Sequence, residues 1–297
     1  MPAAIQTFDL TKAYDGRPAL DHLSLTVERG EVFGFLGPNG AGKSTTIRLL
    51  LDLIRPTEGR AEILGFDTRH QSHEVRARTA YLPGDLRLYG NLRGIETVEL
   101  FCRLRPGADP AYGIELAREL DLDLSKHANA LSKGTRQKLG VVVALLGRPD
   151  VLLLDEPTSG LDPLMQHAVW EILRREAGRG ATVFFSSHVM SEVEQTCERV
   201  GILREGRLVA VEPIAALKGR SLRHVEVSFA GGVPSPADVA LPGVRELRRQ
   251  PPTLEFEVAG ELDALLRALS PYHILDLRTE QPTLDELLMT YYTGEAA

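Results

Sequence analysis

Cysteine and tryptophan are scarce in this chain. Its 297 residues include two cysteines and one tryptophan. Cys102 and Cys197 show no C-x-x-C pairing or other metal-ligand spacing, so we expect reduced thiols rather than a disulfide framework or a zinc site. The N-terminus has no basic stretch followed by an apolar run, so no secretory signal is expected. These absences favour an intracellular protein.

Long hydrophobic runs are absent as well. The longest apolar candidates, residues 140–147 and 151–154, are well short of the ~18–20 residues that a membrane-spanning helix requires. We expect both segments to be core elements of a folded domain. A role at a membrane would therefore depend on a separate membrane-spanning partner.

Clustered positive charge is the third absence. The net charge is −7, and residues 221–297 carry six Lys and Arg against twelve Asp and Glu. Proteins that bind nucleic acid need grouped Lys and Arg to displace counterions from the phosphates, and no such stripe occurs here. We therefore expect no nucleic-acid partner.

The strongest positive signal is a glycine-rich segment at 37–45, GPNGAGKST. It matches G-x-x-x-x-G-K-[ST], follows a strand-like run at 31–36 and precedes a helix-like run at 46–54. Glycines let the backbone take a positive φ, so that the loop N–H groups and the helix N-terminus face phosphates. The predicted nucleotide contacts are Gly37, Asn39, Gly40, Gly42, Lys43, Ser44 and Thr45. Lys43 would reach the β- and γ-phosphates, and Ser44 would bind Mg²⁺. The alternative is a chance match in a glycine-rich turn.

A second run, VLLLDEP at 151–157, ends an apolar strand in two acids. The carboxyl end of a buried parallel strand meets the ligand crevice, which would bring these acids to the phosphate loop. Asp155 is predicted to hold the magnesium, directly or through water. Glu156 is predicted to orient or deprotonate the attacking water. The alternative is a buried strand followed by an ordinary acidic turn.

The segment 131–138, LSKGTRQK, precedes that strand by about twenty residues. With the two motifs above, it resembles the ATP-binding-cassette (ABC) family, whose signature reads LSGGQ. The residues that match are Leu131, Ser132, Gly134 and, further on, Gln137-Lys138. Two positions depart, with Lys133 in place of a glycine and Thr135 in place of a glutamine. Without the other motifs the segment would be read only as a helix cap.

The resemblance implies that ATP is buried between two head-to-tail copies of the chain. Ser132 and Gly134 begin a helix, where an anion is favoured, and in the family this terminus caps the γ-phosphate bound to the opposite subunit. One phosphate loop therefore makes only half a site. Residues 159–162, SGLD, resemble the loop that crosses this interface. A homodimer is expected, because one chain carries every half-site motif.

Two aromatic side chains complete the predicted site. His188 follows the apolar strand 181–185 and stands where the family has a histidine that contacts the γ-phosphate and the attacking water. Glu156, His188 and Lys43 are thus the predicted catalytic residues. Tyr14 stands where the family stacks an aromatic ring on adenine, a contact that selects bases weakly. The alternatives are a structural histidine and a surface tyrosine.

One position breaks the family pattern. In the segment 79–85, TAYLPGD, Gly84 stands where a glutamine is usual. In the family that glutamine touches Mg²⁺ and the water, and it links the ATP site to the membrane partner. Asp85 is one candidate to replace this contact, and a link through backbone alone is the other.

These features predict an α/β fold, a P-loop NTPase ABC cassette, over residues 1–218. It would contain a parallel sheet core, an antiparallel β-layer and a helical subdomain at about 86–135. The antiparallel layer is predicted from 5–11 and 23–28, and the subdomain helices from 95–105 and 113–120. After 151–155 the pattern continues with a helix at 163–177, a strand at 181–185, a helix at 189–196 and a hairpin around Glu205-Gly206.

Residues 220–297 are predicted to form a small, separate α+β domain. Strand patterns occupy 224–229, 253–258 and 274–277, and helical patterns occupy 261–269 and 284–292. The closing QPTLDELL at 281–288 resembles the C-terminal extension of bacterial exporter ATPases in the drug- and antibiotic-efflux branch. A solvated helix start capped by Pro282 and Thr283 explains the same residues.

Several functional classes share this cassette. Ribosome-associated members carry two cassettes and a basic linker, and chromosome ATPases split the cassette with long heptad stretches. This chain has one motif set and no such stretches. An iron–sulfur assembly ATPase is another alternative, but that role would not explain residues 220–297. We therefore predict an exporter ATPase that uses ATP and Mg²⁺, works as a homodimer with a separate polytopic membrane subunit, and lies in the cytoplasm on the inner face of the cell membrane.

Overall fold

The computed structural model describes residues 3–219 and 222–280 of the chain. It divides into two compact units, Met1–Val211 and Glu212–Ala297. The predicted domain boundary near 218–220 falls a few residues beyond this division, and the predicted domain organisation stays a prediction. Within the described residues, no helix combines the length and apolarity needed to cross a membrane.

The elements alternate between strands and helices through most of the chain. In chain order they are β1 (Ala3–Tyr14), β2 (Arg17–Glu28), β3 (Val32–Leu36), α1 (Lys43–Leu50), β4 (Glu58–Ile63), β5 (Phe66–Asp67), α2 (Ser72–Arg78), β6 (Thr79–Leu82), α3 (Gly94–Leu104), α4 (Pro110–Glu119), a 3₁₀ turn (Ala128–Ala130), α5 (Lys133–Leu145), β7 (Val151–Asp155), α6 (Pro163–Gly178), β8 (Thr182–Ser187), α7 (Met190–Thr196), β9 (Arg199–Arg204), β10 (Arg207–Pro213), α8 (Ile214–Gly219), β11 (Leu222–Phe229), β12 (Val244–Gln250), β13 (Thr253–Ala259), α9 (Asp263–Leu269) and β14 (Ile274–Glu280).

A six-stranded sheet forms the centre of the first unit, in the order β10-β9-β3-β8-β7-β6. Strands β9, β3, β8, β7 and β6 pair in parallel. The central strands β3, β7 and β8 are buried along their whole length, as continuous apolar runs covered on both faces require. Their carboxyl ends therefore converge at one edge, which is where the predicted motifs lie. The predicted parallel core is confirmed.

The predicted antiparallel layer is also present, in the order β2-β1-β4-β5. Strands β1 and β2 are each 12 residues long, longer than the predicted 5–11 and 23–28. They are joined at Asp15-Gly16, where both residues have a positive φ. That geometry matches a two-residue hairpin turn and lets the strands pair up to Tyr14↔Arg17.

Three helices lie between β6 and β7. Helices α3 and α4 match the predicted segments 95–105 and 113–120. Asp109 accepts a hydrogen bond from the N–H of Ala111, and Pro110 starts α4. Both choices are favourable at a helix N-terminus because the first N–H groups have no partner within the helix.

The second unit contains a four-stranded antiparallel sheet, in the order β12-β13-β11-β14. Its core contains Val225, Val227, Leu254 and Phe256 from the central strands and Leu265 from α9. The predicted strands and the helix at 261–269 are confirmed, whereas β12 was not predicted. The QPTLDELL segment and the predicted helix at 284–292 lie outside the described residues.

Candidate nucleotide-binding and hydrolysis site

The phosphate loop connects β3 to α1, and its glycines are required for two different reasons. Gly40 and Gly42 have φ values of 82° and 109°, which residues with a Cβ rarely adopt. A Cβ on Gly42 would also lie 2.5 Å from the carbonyl oxygen of Ala19. Gly37 has no positive φ, so the expectation that the loop glycines take a positive φ is wrong for this residue. It is required by packing instead, because its Cβ would lie 2.4 Å from the carbonyl oxygen of Leu203.

Lys43 is the first residue of α1 and is only 6% exposed. Its ammonium donates hydrogen bonds to the carbonyl oxygens of Gly37, at 2.6 Å, and Pro38, at 3.0 Å. Burial lowers the pKa of Lys43, and the nearby carboxylates of Glu156 and Asp155 partly offset this effect. The loop therefore presents a desolvated cation, which interacts strongly with any anion that reaches it.

A cavity of about 150 Å³ lies over the phosphate loop. It is lined by Ala19, Asn39, Gly40, Gly42, Lys43, Ser44, Thr45 and Glu156. Six of the predicted nucleotide contacts are thus brought together with the predicted catalytic glutamate. Tyr14, Ser132 and Gly134 do not line this cavity.

Asp155 ends β7 and is almost fully buried. Its Oδ1 accepts a hydrogen bond from Ser186 Oγ at 2.5 Å. Its Oδ2 faces Gly84, where a Cβ would lie 3.4 Å away. The Asp85 carboxylate instead pairs with Arg87 and is highly exposed. Gly84, not Asp85, is therefore the residue of this segment that adjoins the predicted metal ligand.

Glu156 and His188 form a direct pair at the carboxyl ends of β7 and β8. Glu156 Oε1 and His188 Nδ1 lie 2.9 Å apart. The backbone of Glu156 has a φ of 50°, a left-handed conformation that is uncommon for a residue with a side chain. Its N–H is held by the backbone and hydroxyl oxygens of Ser186, both at 3.2 Å. This turn aims the Glu156 side chain into the cavity over the phosphate loop.

Ser132 caps helix α5 as predicted. Its Oγ accepts a hydrogen bond from the N–H of Thr135 at 3.2 Å and lies 2.8 Å from the Thr135 hydroxyl. Gly134 packs directly on Gly160, since a Cβ at 134 would lie 2.5 Å from the Gly160 carbonyl oxygen. Lys133, the departure from the family pattern, donates a hydrogen bond to Ser159 Oγ at 3.0 Å.

Tyr14 lies at the end of β1 and is 49% exposed. The Lys12 ammonium lies 4.9 Å from the centre of its ring. The face of an aromatic ring can bind a cation or a second stacked ring. The predicted contact between Tyr14 and adenine stays a prediction.

Sequence reasoning missed the contacts of Gln137. Its Nε2 donates hydrogen bonds to the carbonyl oxygens of Glu156 and Pro157, at 3.1 and 3.0 Å. Gln137 is buried and lies in α5, so it ties the signature helix to the turn that carries Glu156. The available signal was a polar residue on the otherwise apolar buried face of the helix, because buried amides require partners.

Comparisons with known proteins identify the family. A family model described as ABC transporter matches residues 20–159. The chain is 38% identical over 237 residues to the bacitracin transport ATP-binding protein BcrA of Bacillus licheniformis, covering 77% of this chain and 76% of that protein. The chain belongs to the family of ABC transporter ATP-binding proteins. This ABC ATPase is also 36% identical over 308 residues to the daunorubicin resistance ATP-binding protein DrrA3 of Streptomyces coeruleorubidus, covering 98% of this chain and 96% of that protein.

A solved structure supports the same assignment. It is a dimeric ATP-binding cassette in a post-hydrolysis state, bound to ADP and Pi. It shares 25% identity and a TM-score of 0.65 with the chain, over 71% of this chain and 98% of that structure. The predicted fold, ATP as the nucleotide and ATP hydrolysis as the activity are thus confirmed, and the ABC ATPase is an ATP-binding subunit of an ABC transporter.

Proposed function

We propose that the ABC ATPase hydrolyses ATP with the Glu156–His188 pair and that two copies bury the nucleotide between them. The single observation that carries this proposal is the arrangement over the phosphate loop. Glu156 lines the same small cavity as Lys43 and is paired with His188 at 2.9 Å. Ser132 and Gly134 do not line that cavity. Their position supports a role on the nucleotide of a second copy.

The residues beside the cavity fit a magnesium ion. Mg²⁺ prefers oxygen ligands and is usually bound by one or two carboxylates together with substrate phosphates. Asp155 offers a buried carboxylate whose Oδ2 faces Gly84, and Ser44 offers a hydroxyl at the cavity wall. When bound, Mg²⁺ would neutralise charge on the phosphate oxygens.

The protein's own side chains would carry out the remaining steps of ATP hydrolysis. Lys43 would exchange its hydrogen bonds to the loop carbonyls for bonds to phosphate oxygens, which are charge-assisted and stronger. Glu156 would orient the attacking water and accept its proton, and His188 would hold the Glu156 carboxylate and contact the γ-phosphate. Most of the rate enhancement would come from position and preorganised charge.

The proposed pairing of two copies of the chain rests on the N-terminus of α5. Ser132, the N-cap of α5, is exposed, and the first N–H groups of a helix have no partner within the helix, which favours an anion there. One solved cassette with the same fold is a dimer, and a similar protein is named as the ATP-binding protein of a transport system. We infer that this chain forms a homodimer on a separate polytopic membrane subunit, at the inner face of the cell membrane.

The direction of transport is proposed from the relatives. One of the similar proteins is named for bacitracin transport and the other for daunorubicin resistance. Resistance through a transporter points to export. Because the two names differ in cargo, the proposal stops at export and assigns the choice of cargo to the membrane subunit. The relatives do not favour a ribosome-associated or iron–sulfur assembly role.

One substitution tests the catalytic part of the proposal. Glu156→Gln keeps the size of the side chain and removes the base, so ATP hydrolysis should fall by about 100-fold or more. ATP binding should persist, and a dimer should accumulate with ATP in size-exclusion chromatography. Glu115→Gln, on the exposed face of α4, serves as the matched control. Hydrolysis by Glu156→Gln at the wild-type rate would exclude its catalytic role.

A further inference from the structure

Glu192, in the first turn of α7, contacts two catalytic loops at once. Its Oε1 accepts a hydrogen bond from the hydroxyl of Thr158 at 2.6 Å. Its Oε2 accepts one from the hydroxyl of Ser187 at 2.5 Å. Thr158 and Ser187 are each 1% exposed. A single carboxylate thus joins two segments that are about thirty residues apart in sequence.

Thr158 belongs to the turn that carries Glu156. The N–H of Ser159 donates to the carbonyl oxygen of Glu156 at 3.1 Å, which closes a turn around Thr158. Because Glu156 has a positive φ, that turn has a conformational cost and persists only where neighbouring contacts hold it. The hydrogen bond from Thr158 to Glu192 is one such contact.

Ser187 immediately precedes His188. Its Oγ donates to Glu192 and accepts a hydrogen bond from the N–H of Val189 at 2.9 Å, so the hydroxyl fixes the backbone on both sides of His188. Its carbonyl oxygen also accepts a hydrogen bond from the N–H of Gly37 at 3.3 Å. The Ser187 contacts therefore extend from Glu192 to the start of the phosphate loop.

We propose that Glu192 is a positioning residue for hydrolysis, which sets the Glu156–His188 pair by holding both of its loops. This inference rests on the proposed roles of Glu156 and His188. Hydrogen bonds to a carboxylate are short and about twice as strong as neutral ones, and a partly buried network of this kind acts as a unit. Glu192 does not line the cavity, so it would affect the positions of Glu156 and His188 only through Thr158 and Ser187.

The test compares Glu192→Ala, Thr158→Val and the double variant. Misplacing a catalytic group by about 1 Å costs on the order of 100-fold, so we expect kcat to fall about 10- to 100-fold for Glu192→Ala. The KM for ATP and the affinity for a fluorescent ATP analogue should stay within about twofold. Since the two residues act through one network, the double variant should be little slower than Glu192→Ala.

Two controls separate this role from general destabilisation. Thr158→Ser keeps the hydroxyl and should retain most of the activity that Thr158→Val loses. Glu198→Gln changes an exposed glutamate just beyond α7 and should leave kcat unchanged. Hydrogen exchange of the peptides spanning 156–161 and 186–190 should accelerate in Glu192→Ala while exchange in the strands of the central sheet does not.

Three other outcomes would overturn the inference. An unchanged kcat, an additive double variant or a raised KM at constant kcat would each show that Glu192 does not position the pair. If Glu156→Gln still loses hydrolysis in that case, the proposed catalytic pair stands and only the role of Glu192 fails. If Glu156→Gln is fully active, the proposed function fails first.

Discussion

Lys43 shows how much one residue contributes to this site. A buried ammonium is unfavourable unless it is hydrogen-bonded, and here two carbonyl oxygens of its own loop provide the bonds. Its chemistry was predictable from the motif because the loop, the lysine and the helix start are adjacent in sequence. The contacts of Gln137 and the hydrogen bond between Thr158 and Glu192 were not predictable, because these partners lie about 20 to 34 residues apart in sequence.

A pH dependence follows from the burial of Lys43. Burial lowers its pKa below the ordinary value of 10.5, so the unfolded chain binds more protons between the folded and unfolded pKa values. Stability of the nucleotide-free protein should therefore rise with pH through that window. Urea unfolding at pH 7 to 10 should show this rise in the wild type relative to Lys43→Met. A pH-independent difference between the two proteins would contradict it.

The same Lys43→Met variant should lose nucleotide affinity. Hydrogen bonds to charged groups contribute about 1.5–3 kcal/mol, so ATP should bind about 10- to 100-fold more weakly. Isothermal titration with ATP provides the measurement, and unaltered affinity would remove Lys43 from the phosphate site.

Helix α5 is the element that joins the two halves of the mechanism. Gln137 bonds to the carbonyl oxygens of Glu156 and Pro157, and Gly134 packs against Gly160. In the proposed dimer, the helix N-terminus that faces the second copy is thus fixed to the turn that carries this chain's own Glu156. Any displacement of that turn would be transmitted to the partner's half-site.

The close contact at Gly134 makes the connection testable. Gly134→Ala places a Cβ 2.5 Å from the Gly160 carbonyl oxygen, so one of the two backbones must move. ATP hydrolysis should fall by about tenfold or more, because groups in the composite site lose their alignment. Binding of ATP to the phosphate loop should remain within about twofold. Gly178→Ala, where a Cβ meets nothing within 4 Å, is the matched control. Full hydrolysis by Gly134→Ala would argue against this connection.

Elements were predictable where one pattern dominated. The buried runs of β3, β7 and β8 indicated strands because they lie in the middle of a covered sheet. Strand β12, with the sequence VRELRRQ, gave no such signal because it is an edge strand with an irregular register at Leu247. Its place is set by its antiparallel pairing with β13. Those contacts are tertiary and leave no trace in local periodicity.

At the scale of the whole molecule, the chain is one part of a larger assembly. By the proposed arrangement each copy carries both half-sites, and no described helix could cross a membrane. A tagged chain isolated from detergent-solubilised membranes should therefore co-purify with a polytopic membrane protein in near-equal amount, as measured by mass spectrometry. In the presence of ATP, the Glu156→Gln variant should retain at least as much of that membrane protein as the wild type does. Recovery with ribosomes or assembly factors instead would overturn the transport assignment while leaving the ATPase site intact.

The small size of the cavity has a consequence for the cell. At about 150 Å³ it is roughly half the ~300 Å³ at which pockets begin to enclose a drug-sized ligand. Its walls consist of the phosphate loop, Ala19 and Glu156, while Tyr14 stands outside it and half exposed. By the proposed site, the cavity would enclose the phosphate chain of ATP and leave the base near the surface. Few contacts would then select the base, so other nucleoside triphosphates should compete with ATP for this site in the cell.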